Sequence, residues 1–360
     1  MSDLVSLLSK LSEIPGPSGN EDDVRDFILK EAKPLGSHIQ IDSMGNLFVQ
    51  VKGKNKKEQA KLMVSAHMDE VGFIIKYVEN TGQLRFQPMG LVDPRILPGQ
   101  RVIVRGTHDL PGTIGSKPPH ILTPDESKKI FDFGDLYIDF GVASREEAKQ
   151  LGVHVGTVAV FDEPFKQTAS DSMVLGKAMD NRAGCVAALM MMRSLSKNPP
   201  TITIEFAFTV QEEVGMRGAE VAAKRSKPDA AIVLETAVAA DSPEVNPRDR
   251  ILEIGKGPAV RVIDATMITQ KKMLEYMMHT AEAQKIPYQL HVNMAGGTDA
   301  GRIHLMNQGI PTAVISTPGR YLHSASTMIN LRDIENVIQL CEQLARGIKS
   351  AEQFSFRVRD

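Results

Sequence analysis

Residues 201–219 read TITIEFAFTVQEEVGMRGA, and this stretch decides the architecture. An apolar run rich in β-branched and aromatic side chains suits a strand covered on both faces. It ends in two adjacent carboxylates, Glu212 and Glu213, after which Gly215 and Gly218 turn the chain into a helix-like segment. Downstream the pattern repeats. DAAIVLE and PTAVIS read as strands, and DNRAGCVAALMMMRSL, KKMLEYMMHTAEAQ and DIENVIQLCEQLARGIK read as helices. Such alternation is the signature of a sheet sandwiched by helices.

Upstream, Leu4, Leu7, Leu8 and Leu11 follow helical spacing until Pro15 and Gly16 stop the helix, and Ser18 and Asn20 offer caps for a second one carrying Val24, Phe27 and Ile28. Two short strands, near Ile39 to Asp42 and Asn46 to Val51, lead through the charged loop KGKNKKEQ to a strand from Lys61 to Ala66. From Val71 to about Phe165 the texture changes to short strand-like pieces between Gly and Pro, such as FIIKYV, RVIVRG and TVAVFD. The expected fold class is α/β: a mixed sheet sandwiched by helices from residues 1–70 plus 166–360, interrupted by a small β-barrel-like insert over 71–165.

Composition bounds the partners. The 360 residues are 42% hydrophobic and 24% charged, which excludes a disordered or fibrous chain and suffices for two domains. A net charge of −2 provides no global cationic field for nucleic acid or anionic lipid, so small molecules, peptides or other copies of the chain are the expected partners. Two cysteines, Cys185 and Cys341, both set among apolar residues, suit a reducing cytoplasm and a core role. There is no secretory leader pattern, nor an apolar run long enough to span a bilayer, so a soluble protein is expected.

Metal-ligand residue types recur where strands end. In KLMVSAHMDEVGF, His67 and Asp69 stand two residues apart, so Asp69 can orient the imidazole as metal-bound histidines require. In GKAMDNRAG, Asp180 precedes a helix, where it can cap or coordinate. Glu212 and Glu213 close one strand, Glu235 tips DAAIVLE, and His323 follows PTAVIS. Two carboxylates at a buried strand end are costly unless protons or cations offset their repulsion. Two histidines with three or four carboxylates match the N/O ligand set of a two-metal hydrolase.

The motifs SAHMDEVGF, KAMDNRAG, QEEVG with RGAE, LETAVAAD, GGTDAG and RYLHS, in that order, resemble the M42 family of metallo-aminopeptidases, the group that includes glutamyl aminopeptidases and TET peptidases. The resemblance covers essentially the whole chain. It implies a fold of zinc-exopeptidase type and an aminopeptidase acting on N-terminal residues of short peptides. It also implies that His67, Asp180 and Glu235 hold one divalent ion and Asp180, Glu213 and His323 another, with Zn²⁺, Co²⁺ or Mn²⁺ as the metals. Glu212 would be the general base and Asp69 the partner of His67. Many relatives have Asp where this chain has Glu235, which keeps the charge but lengthens the reach. The insert supplies no ligand, and the resemblance implies that it serves assembly, the working enzyme being a dodecamer built from dimers. A metal-bound carboxylate is poorly basic, whereas a desolvated unligated neighbour can take a proton, which gives the two glutamates separate tasks.

Other candidates have plainer readings. Thr298 or Asp299 in GGTDAG is expected to cap the short helix that follows, and His38, His108, His120, His154, His279, His291 and His304 lack a comparable carboxylate companion and are read as structural. Two rival functions are an endoglucanase-like glycosidase and a metal-dependent amide deacylase. The first needs two carboxyls and no metal, so the histidines weigh against it. The second would use the same centre.

Overall fold

Side-chain alternation along the central strands sets the layers of the computed structural model, which describes residues 2–55, 60–350, 352–354 and 356. Residues 56–59 of the expected charged loop lie outside these. Four parallel strands form the middle of an 11-stranded sheet, in the order Thr203–Thr209, Lys61–His67, Ala230–Val238, Thr312–Arg320. Antiparallel strands flank them. Leu47–Val51 and Ser37–Ile41 lie on one side, and Thr327–Asn330, Met173–Gly176 and Lys166–Gln167 on the other. A parallel pair, Ala259–Ile263 and Gln289–Val292, branches off Thr312–Arg320.

Successive residues of a strand face opposite ways. Leu62, Val64, Ile204, Phe206, Phe208, Ile232 and Leu234 therefore share one face and bury against Ser2–Glu13, Asp22–Ala32, Met179–Lys197 and Leu331–Gly347 in the large core. Met63, Ala207, Ala231 and Val233 point the other way, into a thinner layer made with Arg217–Ser226 and Ala300–Ile303. That layer closes on small residues, Ala219, Ala222, Ala223 and Ala300. His67 and Glu235 share the parity of Met63 and Val233, so they belong to this thin face. Among the described residues, no helix is long and apolar enough to cross a membrane.

Immediately after His67 the chain leaves the sheet for a closed six-stranded barrel. Its strands, in order around the barrel, are Gly72–Val78, Leu84–Met89, Tyr137–Asp139, Asp109–Gly115, Arg101–Arg105 and Val158–Phe161. Closure removes free edges from a small antiparallel sheet. Phe73 fills the interior by meeting Phe86 and Phe161 edge to face, at centroid distances of 5.0 and 5.2 Å. The barrel is joined to the sandwich by a buried ionic knot: Glu70 accepts from Lys177 Nζ at 2.6 Å and lies 3.4 Å from Arg182, whose guanidinium also donates to the carbonyls of Leu11, Ile14 and Met68.

Candidate metal centre

The parallel register brings the candidate ligands together. Thr209 pairs with His67 and Ser65 with Val233, so His67 and Glu235 lie level across adjacent strands. Glu235 is not at a strand tip, as its sequence position suggested. Ala230–Val238 runs on beside Thr312–Arg320 to the Val238–Gly319 pair, while its pairing with the other neighbour stops at Val233. The gap left there exposes the Glu235 carboxylate to the site. Strand length is fixed by both neighbours, which local composition does not report.

Glu212 and Glu213 lie three and four residues past their strand, in a turn between Gln211 and Met216, both at φ 57. Ala178, Tyr321 and His323 also take positive φ, at 54, 62 and 58. Left-handed backbone at non-glycine residues is uncommon and gathers at functional sites. Asp180 does not cap its helix. Asp180 and Asn181 have non-helical angles, and the Asn181 carboxamide accepts from Gly184 N at 3.1 Å, which leaves the Asp180 carboxylate free.

Asp180 stands between two imidazoles. Its Oδ1 is 3.3 Å from His67 Nε2, which also lies 3.5 Å from Glu235 Oε2. Its Oδ2 is 3.6 Å from His323 Nε2, which lies 3.4 Å from Glu213 Oε2. His67, Asp180 and Glu235 thus converge within ligand reach, as do Asp180, Glu213 and His323, with Asp180 common to both. A third convergence of His67, Glu212 and Glu213 sets Glu212 beside both groups.

The electrostatics are those of a site built for cations. Burial raises Glu212 well above the carboxylate range, and burial reinforced by Asp180 pushes Glu213 up to about 8. Glu235 is raised for the same reason. Burial alone would lower His323, but Asp180 and Glu213 outweigh it and raise the imidazole to about 9. His67 is likewise held well above its ordinary value, burial being overcome by Glu235, Asp180 and Asp69. Buried Glu235 Oε1 has no hydrogen-bond partner among the described residues, and Asp180 Oδ1 has only the His67 imidazole beside it. An orphaned buried carboxylate oxygen is expensive, and a divalent cation satisfies it. The donors are carboxylate oxygens and imidazole nitrogens, so the residues fit such an ion.

Asp69 does more than orient His67, whose Nδ1 is 3.1 Å from the Asp69 carbonyl and 3.4 Å from its carboxylate. The same carboxylate accepts from Ser18 Oγ at 2.6 Å, Glu212 N at 2.9 Å and Glu213 N at 3.1 Å. Ser18 is therefore not a helix cap. The second helix starts after Glu21 with no side-chain cap. The expectation of a cap at Asp299 also fails. That carboxylate is fully buried, accepts from Thr209 Oγ1 at 2.5 Å, and is raised to about 7 by burial and the Glu235 charge. Sequence spacing missed Asn46 too, whose buried carboxamide accepts from Val210 N and donates to Gly218 O, clamping the base of the glutamate turn. The sequence reads it as the first residue of a strand, which in fact begins at Leu47, and only tertiary packing gives it this task. Cys185 donates to the His67 carbonyl from a buried position, in keeping with a core role.

An α/β sandwich that gathers carboxylates and imidazoles beside its parallel strands fits the centre of a metal-dependent hydrolase. The chain belongs to the M42 peptidase family: the family model described as M42 glutamyl aminopeptidase matches residues 45–340. It is 32% identical to the lysyl aminopeptidase of Pyrococcus furiosus over 95% of this chain and 97% of that one. Its structure is similar to that of a TET aminopeptidase from the archaeon Thaumarchaeota SCGC AB-539-E09, with a TM-score of 0.94, 36% identity and coverage of 98% and 99%. It is also similar to the TET1 peptidase of Pyrococcus horikoshii, reported to assemble into a tetrahedron or a large octahedral shell, with a TM-score of 0.85, 33% identity and coverage of 96% and 100%.

Proposed function

We propose that this chain is an aminopeptidase that removes N-terminal residues from short peptides with a two-ion centre. The observation carrying this reading is Asp180, whose two oxygens face separate histidine and glutamate pairs. His67, Asp180 and Glu235 would hold one ion and Asp180, Glu213 and His323 the other. When bound, divalent ions acidify water and polarise a scissile carbonyl. Glu212, held on the Asp69 carboxylate through its backbone, takes a proton from the attacking water and returns it to the leaving amine, a role that its burial and raised basicity suit. Zn²⁺ or Co²⁺ suits the mixed imidazole and carboxylate set best, with Mn²⁺ the next choice. A glycosidase would leave both imidazoles without a task. Removal of divalent ions by chelation is expected to abolish cleavage of aminoacyl chromogenic substrates, and refilling with Zn²⁺, Co²⁺ or Mn²⁺ to restore it. Full turnover by ion-free protein would refute the reading.

We further infer that residues 71–165 act in assembly and that the enzyme works as a large homo-oligomer, a dodecamer built from dimers. The barrel carries exposed Leu91, Ile121, Ile130 and Val155, between 62% and 79% accessible, which copies of the chain could cover. The TET1 relative's assembly supports this. Light scattering at assay concentration is expected to report a particle of many chains, and a monomer would contradict it. The two buried thiols favour a cytoplasmic location.

A further inference from the structure

The N-terminal segment from Gly16 to Glu21 lies against the glutamate turn, far from it in sequence. Gly16 exchanges two hydrogen bonds with Glu70, one through its carbonyl to Glu70 N and one from its N–H to the Glu70 carboxylate, both at 3.0 Å. Arg182 fixes the preceding carbonyls of Leu11 and Ile14. From this rigid base Ser18, only 7% exposed, donates to Asp69. Glu21, 4% exposed, accepts from Gly19 N at 2.7 Å and from Gln211 N at 3.1 Å. Gln211 is the residue at φ 57 that begins the turn. Left-handed backbone at a non-glycine residue is strained, so the turn persists only where its surroundings hold it.

We propose that Ser18 and Glu21 are positioning residues for the general base, fixing Glu212 through the Asp69 carboxylate and the Gln211 backbone. This rests on the proposed aminopeptidase reading. Asp69 receives two consecutive backbone N–H groups, and that pair sets which way Glu212 and Glu213 project. Ser18 ties down the oxygen that accepts from Glu213 N, and Glu21 ties down the residue before the pair. Neither side chain is among the converging metal-ligand groups, and Glu213, which shares the Asp69 carboxylate, is also held beside His323, so their loss loosens the base before it loosens the ligands.

The test uses the intact, metal-loaded protein. Ser18→Ala and Glu21→Ala are each expected to lower kcat on the order of tenfold, and together about a hundredfold, with KM and ion content nearly unchanged. Ser18→Thr and Glu21→Gln, which keep a hydroxyl and an acceptor oxygen, should return most of the loss. Hydrogen exchange should quicken across residues 210–216 and stay slow in the Lys61–His67 strand. Wild-type kcat in both alanine variants would overturn the proposal. So would a kcat loss that follows loss of ions, or unchanged exchange in the turn. Exchange decides the positioning claim even if the wild-type protein cleaves no aminoacyl substrate, a result that would instead refute the functional reading. Should the double variant fail to fold, Ser18→Ala, which removes one oxygen atom, carries the same readouts.

Discussion

Glu212→Gln is expected to lower kcat by about three orders of magnitude while the protein keeps its full complement of ions, because proton transfer by a placed side chain contributes roughly 10²–10⁴-fold. The amide preserves shape and the backbone hydrogen bond to Asp69, so what it removes is proton affinity. The acid limb of the wild-type pH–rate profile should go with it: burial holds Glu212 above the ordinary carboxylate range, so the base is lost by protonation as pH falls. The measurement also separates two roles. Glu212 sits close enough to His67 and Glu213 to serve as a ligand. Ion content measured beside kcat distinguishes a missing base, with ions retained, from a missing ligand, with ions lost. Near-normal turnover would remove Glu212 from the mechanism.

Asp180→Ala should abolish activity by another route, emptying both ion positions. Its two oxygens face opposite pairs, so one substitution removes a donor from each, whereas His67→Ala or His323→Ala removes a donor from one. Metal analysis of the three variants is therefore expected to give the lowest occupancy for Asp180→Ala and intermediate values for the histidine variants. Equal occupancy in all three would contradict a shared bridge.

Much of this was legible in the sequence because strands and metal-ligand types leave local marks. The continuous β-branched apolar runs marked the central strands, and the metal-ligand types of His67, Asp180, Glu213, Glu235 and His323 singled out residues that the fold brings together. What was not legible depends on partners distant in the chain. Glu235 looks terminal in DAAIVLE because the apolar run stops there, yet its strand continues along a neighbour that is itself long. Ser18 and Asp299 have the composition of caps, and a short polar side chain near a helix start is read as one. Their actual partners, Asp69 and Thr209, lie 51 and 90 residues away. Asn46 gave no signal, since a carboxamide clamp on residues 210 and 218 has no periodicity.

The barrel's place in the chain has a mechanical consequence. It begins directly after His67, Asp69 and Glu70, and its Met89–Leu91 corner returns to the same centre. There a side-chain carbon at Gly90 would come within 3.3 Å of Glu213, and the Leu91 backbone bonds His323. The part of the molecule proposed to meet other copies thus also forms one wall of the candidate metal centre. Strain arriving there from a neighbouring copy would reach the proposed ion-binding carboxylate of Glu213 through the Gly90 backbone. Trimming the barrel to obtain a minimal catalyst would remove this wall along with the proposed contact surface, so a shortened enzyme would differ from the parent in chemistry as well as in size.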